Sequence, residues 1–364
     1  MRRALGVLAA LVLLGGVIYA LVPDDGPDPK KLVTVTGLIG SEKRAFFESP
    51  DVKAELAKQG VEVHADSTGS WTMSEQAKSS SGLDFAFPAS TAPAREIQRN
   101  WGQQDSPLVP FYSPLVVVAH APVAKILKDN NLASQDESSK VWTFKMDEYV
   151  KDLTAKSKWQ DLVGTQGHGD LTGPIFVTTT DPESSSSGAL YIALLSYILN
   201  NHQVVSDDAG VDAARQVLYQ ATAMQGGQKS SSDEPFRDFQ AGVGNPLLFG
   251  YESQVAAMTA QGQPTDDTVV MYPDTTVYSD HTIIARTDSG RKLAALLQDD
   301  DALRTLEARF GFRPQARPGA FAELVQGKQP VFAQDLNAAR VKQSPVPSLD
   351  NLLKLTAAAK GNPK

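Results

Sequence analysis

The segment Ala189 to Leu199, ALYIALLSYIL, is apolar on nearly every face of a helix. A helix of that kind has to be covered on all sides, so the chain must build layers around it. It follows directly on a serine run, residues 178–188 reading TTTDPESSSSG. Burial of its start leaves the first backbone N–H groups in need of partners. Ser186 or Ser187 is expected to cap one or two of them. The end of the run is therefore expected to be ordered, with Glu183 to Ser185 looser.

The rest of the body alternates in a way that suits such a layered fold. Leu32 to Thr36 reads as a strand broken by Gly37 and Gly40, and Ser41 can cap a helix through Phe47. Asp51 to Lys58 reads as helix ending near Gly60, and VEVHA as an alternating strand. A loop opening a helix follows at DSTGSWTMSEQ, then strands at LDFAFPAS and SPLVVVAHAP. Further on, Lys145 to Thr154 and Trp159 to Leu162 suit helices, and Pro174 to Thr179 a strand. Val211 to Met224 suits another helix, and QGGQKSSSD, residues 225–233, is a Gly/Ser-rich loop. PLLFGYESQVAAM reads as strand, turn and helix, and two strands flank Pro273-Asp274. Lys292 to Phe310 reads as helix, and Asp350 to Lys360 as a helix that the pattern alone does not dock. Strand, loop and helix in alternation predict an α/β fold with mostly parallel sheets.

The N-terminus has two arginines and then 18 uncharged, mostly apolar residues from Leu5 to Val22. As a helix that stretch is roughly 27 Å long, close to the thickness of a bilayer core. Arginines stay cytoplasmic, which sends the body outward. Residues 1–22 are thus expected to be a single-pass transmembrane anchor or a signal segment, with the body extracytoplasmic. Residues 23–31 are proline-rich and read as a stiff tether. The 364-residue chain carries a formal charge of -8 and no Lys/Arg cluster longer than a pair, so nucleic acid is not an expected partner. With no cysteine, disulfides, thiolate metal sites, cysteine nucleophiles and lipidated cysteine anchors are excluded.

Three turns share one design: strand, small-residue loop, helix. They are Gly40-Ser41, Thr68-Gly69-Ser70 and Ser184 to Gly188. Helix N-termini carry unpaired N–H groups and partial positive charge, and small residues let a ligand approach them. Any α/β protein has such a turn, because serine is a common helix cap. Three at the ends of sheet strands point toward a ligand site, since open α/β sheets bind beyond the carboxyl ends of their strands. Tyr251 either faces a cleft or packs at a domain surface, and Trp71 is expected to pack. Catalytic motifs are absent: no G-x-S-x-G, G-x-G-x-x-G or Walker A, and the five histidines lie far apart. A serine hydrolase built on Ser70 or Ser187 would need a base that no motif supplies. No metal, no cofactor and no catalytic residue is expected.

Taken in order, GSEKRAFFESPDV, STGSWTMSEQ, DFAFPAS, YSPLVVVAHAP, TTTDPESSSSGALYIALLSYI, PLLFGYESQ, MYPDTTVYSDHTII and FGFRP resemble a bacterial extracellular solute-binding protein of the type 2 periplasmic-binding fold, in the molybdate- and sulfate-type subgroup. The resemblance covers residues 32 to 320. It implies two α/β lobes joined by two crossing strands, lobe one from 32–117 plus 272–364 and lobe two from 118–271. It places ligand contacts on Ser41, on Ser70 beside Gly69, and on Thr180 to Gly188, with Thr180, Ser186, Ser187 and Gly188 foremost. Ser90 and Tyr251 match positions that face the cleft in such proteins. No lysine or arginine is counted in these loops, so the pocket is expected to be neutral. The expected function is capture of a small polar ligand or oxyanion for a membrane transporter or sensor. The alternative is a ligand-free, membrane-anchored interaction module of an envelope complex.

Overall fold

The computed structural model describes residues 32–265 and 267–362. The expected anchor and tether, residues 1–31, lie outside the described residues. Among the described residues, no helix is long and apolar enough to cross a membrane.

The chain opens with β1 (Val33–Ile39), α1 (Arg44–Glu48), α2 (Pro50–Lys58), β2 (Val61–Ser67), α3 (Ser70–Ser79), β3 (Phe85–Phe87), α4 (Thr91–Trp101) and β4 (Leu108–His120). Gly37 does not break β1. A Cβ at Gly37 would lie 2.4 Å from the Phe85 ring, so glycine is what lets β3 pair beside β1 at that point. Ser41 does not cap a helix either. Gly40 is the cap of a short 3-10 turn, Ser41–Lys43, which leads into α1. Three such β-α steps give two parallel pairs, β1 with β2 and β1 with β3.

The next stretch holds α5 (Ala121–Asp129), β5 (Ala133–Gln135), β6 (Trp142–Phe144), α6 (Met146–Ala155), α7 (Ser186–Leu199), α8 (Asp208–Ala223), α9 (Asp233–Gln240), β7 (Leu247–Tyr251), α10 (Glu252–Ala260) and β8 (Thr268–Pro273). The expected helix near Trp159 is a 3-10 turn, Trp159–Asp161. The expected strand at 174–179 makes only two isolated bridges, Pro174 to Lys158 and Thr178 to Leu248. Loop side chains take the place of a ladder there: Asn245 donates to the Phe176 carbonyl at 2.8 Å, and Gln225 accepts from the Thr179 N–H at 2.8 Å. The chain finishes with β9 (Thr275–Thr276), β10 (Tyr278–Ala285), α11 (Asp288–Asp299), α12 (Asp301–Arg309), β11 (Arg313–Pro314), α13 (Gly319–Val325), β12 (Lys342–Gln343) and α14 (Leu349–Ala359). The helical stretch expected at 292–310 is divided by Asp300, whose carboxylate accepts from the Ala302 and Leu303 N–H groups and starts α12.

The main sheet runs β2-β1-β3-β10-β4-β8-β6-β5, with β7 and β11 also on β4. It is mixed, not mostly parallel. β4 pairs antiparallel with β10 and β11 over its first half and with β7 and β8 over its second. The reason is topological: β4 carries the chain from lobe one into lobe two, and the β8–β10 segment carries it back, so each crossing opposes its neighbours. Phe46, Phe87, Phe111, Leu297 and Phe312 are among the buried core of lobe one. The core of lobe two surrounds α7, on which Leu190, Tyr191, Ile192, Leu194 and Leu195 are all buried, as its unbroken apolar surface requires.

Beyond β11 the chain packs against β4, β7 and β8. Phe321, Val325, Phe332 and Leu336 share a core with Val116, Val118, Leu248 and Val270. The final helix α14 packs along α8 and α7. Its buried Leu352, Leu355, Ala358 and Ala359 form the stripe that docks it there.

Candidate ligand-binding cleft

Four helical starts meet where the lobes face each other. From lobe one come the 3-10 turn at Ser41, α3 at Ser70 and α4 at Thr91, whose caps are Gly40, Gly69 and Ser90. From lobe two comes α7, whose cap is Ser185. None of these four caps, two of them glycines, satisfies an N–H of its own helix through a side chain. Ser186 and Ser187 are therefore the first helical residues and not caps. The Gly188 N–H is satisfied from outside the helix, by the Thr180 hydroxyl at 2.8 Å. The same hydroxyl lies 2.7 Å from Ser187 Oγ, and Ser185 Oγ lies 3.3 Å from it. A Cβ at Gly188 would collide with the Thr180 carbonyl, so glycine is needed for the loop and helix to lie this close.

The lobes touch through hydroxyls and backbone. Ser90 Oγ is 2.7 Å from Ser186 Oγ. Ser231 donates to Ser41 Oγ at 3.0 Å, and Ser232 Oγ lies 3.4 Å from the same atom. The Trp71 N–H donates to the Ser184 carbonyl at 3.0 Å. A Cβ at Gly69 would stand 2.4 Å from that carbonyl and 2.7 Å from the Ser230 carbonyl, so only glycine permits this approach. Ser70 turns inward and accepts from the Ala89 N–H at 3.1 Å, which ties the starts of α3 and α4 together. Trp71 packs with Ala189, Ala193 and Leu352, a small apolar cluster shared by both lobes and the C-terminal helix. Packing is thus its role, as its sequence context indicated.

Tyr251, at the end of β7, is fully buried and interacts with Ser187 and Ser279. Burial, reinforced by the negative charge of Glu42, raises its hydroxyl pKa well above the ordinary tyrosine value, so it stays a neutral donor. The turn that begins at Ser41 continues into two charged residues, Glu42 and Lys43. Lys43 is completely buried, its ammonium paired with Glu42 and 3.0 Å from His281 Nδ1. Burial disfavours the Glu42 carboxylate, but the Lys43 ammonium and His281 outweigh it and hold its pKa at about 2. Burial and the Lys43 charge together push His281 down to about 4. The trio is thus an internal ion pair with a neutral imidazole, and its net charge is zero. On the lobe-two side, Asp233 has its pKa raised by burial and by Glu42.

Ser230, Ser231 and Ser232 belong to the Gly/Ser-rich 225–233 loop, whose composition alone indicates no site. The signal that could have found them is the triplet Ser230-Ser231-Ser232 directly before the acidic start of α9, a serine run in front of a helix like Ser184 to Ser187. Among the described residues, no cluster of histidine and carboxylate side chains is placed to hold a metal ion.

Solved structures share this fold. The sulfate-binding protein SubI from Mycobacterium tuberculosis is similar in structure with a TM-score of 0.55, at 15% identity, covering 91% of this chain and 96% of its own. A periplasmic thiamin binding protein is similar at a TM-score of 0.59 and 10% identity, over 91% of this chain and 96% of its own. The apo ferric ion-binding protein A of Pasteurella haemolytica is similar at 0.54 and 10% identity, over 90% and 96%. At these identities the likeness establishes the two-lobed periplasmic-binding fold. No curated protein matches the sequence. Residues 52–313, which hold most of both lobes and both crossings, match the family model described as bacterial extracellular solute-binding protein, and the chain belongs to that family.

Proposed function

We propose that this chain captures a small polar solute, with an oxyanion as the best-suited class, between Ser41, Ser70 and Ser90 of lobe one and Thr180, Ser186, Ser187, Gly188 and Tyr251 of lobe two. The observation that supports this is the meeting of four helical starts, none capped by its own side chain, at one interlobe surface lined with hydroxyls. Helix starts and hydroxyls stabilise anions by hydrogen bonding and dipole alignment without a matching cation. The self-neutralised Lys43–Glu42–His281 trio fits that division of labour. Its charge is spent internally, and recognition falls to the neutral donors. Hinge motion at β4 and the β8–β10 crossing would open and close the site. Lobe one would then comprise 32–117 and 272–318, and lobe two 118–271 with 319–362.

The body works outside the cytoplasm, as its family membership requires. We infer that residues 1–22 tether it to the membrane as a single-pass anchor, and that it hands its solute to a transporter or reports it to a sensor. A second reading is favoured by one observation: Ser90–Ser186 and Ser41–Ser231 satisfy each other directly. A module that stays closed and binds another envelope protein would look the same. A thermal-shift screen of the full chain in detergent separates the two. Sulfate, molybdate, phosphate and small neutral solutes are offered, and a ligand at 100 times its dissociation constant should stabilise by about 2.7 kcal/mol. No shift with any of them would favour the closed module.

A further inference from the structure

Residues 225–233 connect the cleft to a second cavity. The end of this loop reaches the cleft, where the Ser230 carbonyl lies against Gly69 and Ser231 donates to Ser41. Its beginning walls a cavity of about 210 Å³ in lobe two, lined by Thr179, Gln225, Gln228 and Lys229 among others. Thr179 and Thr180 sit back to back. Thr180 turns its hydroxyl to Ser187 and the start of α7, while Thr179 lines the cavity. Gln228 ties the two places together, since its Nε2 donates to the Thr180 carbonyl at 3.0 Å.

Two atoms at this cavity are buried without a hydrogen-bond partner: Thr179 Oγ1, on a residue 2% exposed, and Gln228 Oε1. Buried polar atoms are nearly always paired, and one left over has lost its hydration without replacement. Gln228 can offer only an acceptor, because its nitrogen is already committed to Thr180 and Gln225. Thr179 can donate or accept. Lys229, whose ammonium also lies 3.6 Å from the Glu234 carboxylate, and Asp238 place opposite charges on the lining, and Phe176 and Leu248 give it an apolar wall. Apolar walls with a few placed polar groups are the usual make-up of a small-molecule site.

We propose that this cavity is a second ligand site for a small zwitterion, an amino acid with a short aliphatic side chain, and that its occupancy is linked to closure of the cleft through residues 228–231. The ammonium group would donate to Gln228 Oε1 and Asp238. The carboxylate would accept from Thr179 Oγ1 and Lys229. The linkage half rests on the cleft reading above; the binding half does not. Because linkage is reciprocal, a zwitterion that favours the closed loop must in turn bind more tightly to the closed form.

Isothermal titration of the full chain in detergent with glycine, L-alanine and L-valine tests the site, with acetate and methylammonium as half-ligands. At least one amino acid should bind, and each half-ligand about tenfold or more weaker. Thr179→Val and Asp238→Asn should each weaken binding about fivefold or more. Thr179→Val should leave thermal stability intact, because it removes an unpaired hydroxyl. Ser187→Ala, in the cleft, should alter amino-acid affinity only through the linkage, and by less than either cavity variant. Tryptophan fluorescence, with the Trp71→Phe variant as the subtraction, should shift on binding. The site is overturned if no amino acid binds, in which case the two atoms are simply hydrated. It is equally overturned if binding survives both cavity variants but is lost in Ser187→Ala, which would move the amino acid to the cleft. Binding that obeys the cavity variants but leaves the Trp71 signal unmoved would overturn the linkage and retain the site.

Discussion

Ser90 and Ser186 are 96 positions apart in the chain, yet their hydroxyls meet at 2.7 Å across the two lobes. Each hydroxyl can both give and receive, so this one contact can be exchanged for two contacts to a ligand without leaving either oxygen unpaired. The closed surface and the loaded surface then draw on the same atoms, and every prediction about the cleft follows from which atoms are removed.

Ser187→Ala deletes a hydroxyl that holds Thr180 and Ser185 and interacts with Tyr251. A solute found by the screen should bind about five- to tenfold more weakly to this variant, the worth of one hydrogen bond. Titration calorimetry checks it, and an unchanged affinity would remove Ser187 from the site.

Gly69→Val should keep both lobes folded and hold them apart, because its Cβ would overlap the Ser184 and Ser230 carbonyls. Small-angle scattering should report a larger radius of gyration than for the unmodified chain, with the circular dichroism spectrum preserved. A compact variant would mean that the α3 start can retreat without opening the cleft.

Glu252 and Arg313 form a buried ion pair at 2.7 Å, and Arg313 also donates to the carbonyls of Ala333 and Gln334. Removing the carboxylate strands a buried guanidinium. Glu252→Ala should therefore lower stability by about 3–5 kcal/mol, read as a shift of the urea midpoint. The residual Arg313 contacts to the 333–334 backbone predict that the tail loosens first, which limited proteolysis would detect.

Acid should destabilise the protein in two stages. His281 is lowered to about 4 from an ordinary 6.5, so the unfolded chain takes up its proton first and stability falls between those values as pH drops. Glu42 is lowered to about 2 from 4.5, so its contribution is present above 4.5 and is lost as pH falls toward 2. Denaturant midpoints measured from pH 7 to pH 3 should carry both losses, set in the upper part of the range against the gain from Glu307, whose raised pKa acts in the opposite direction. His281→Phe should flatten the upper stage and leave the lower one in place.

Glu307 runs the other way. It is fully buried, both carboxylate oxygens lack partners, and burial raises its pKa well above the usual value. The folded state holds this proton more tightly than the unfolded state, so Glu307 opposes folding increasingly as pH rises above 4.5. Glu307→Leu should raise stability at pH 7 by about 1–3 kcal/mol, with a smaller gain at pH 4. An equal gain at both values would show that the carboxyl finds a partner in solution.

How far these residues could be read from sequence depended on whether local pattern or distant chain decided their place. Ser41, Ser70 and the start of α7 are legible because a strand, a small-residue turn and a helix fall in consecutive residues. The burial of α7 follows from its own composition. Ser231 and Ser232 were not legible, because their neighbours in the loop say only that the chain turns there; what brings them to Ser41 is the fold some 190 residues away. The burial of Lys43 is illegible for a related reason. A lysine in a short turn ordinarily points to solvent, and the partners Glu42 and His281, the latter 238 positions away, offset its burial. Gly37 reads as a strand breaker by propensity, but the Phe85 ring beside it reverses that reading. The mixed sheet escaped notice because a strand shared by two lobes carries no local mark of where its partners change.

The tail brings a practical corollary. Lys360 pairs with Asp181 at 3.1 Å and Asn362 donates to Glu183 at 3.0 Å, so the chain's last described residues are moored on the segment that leads into the serine run. A reporter dye or fluorescent protein joined at the C-terminus would ride beside the mouth of the cleft and not on a free end. Such a fusion is a natural position for an optical biosensor and a poor one for an affinity handle, since immobilising the chain there would pull on the segment Asp181 to Glu183 that leads into α7.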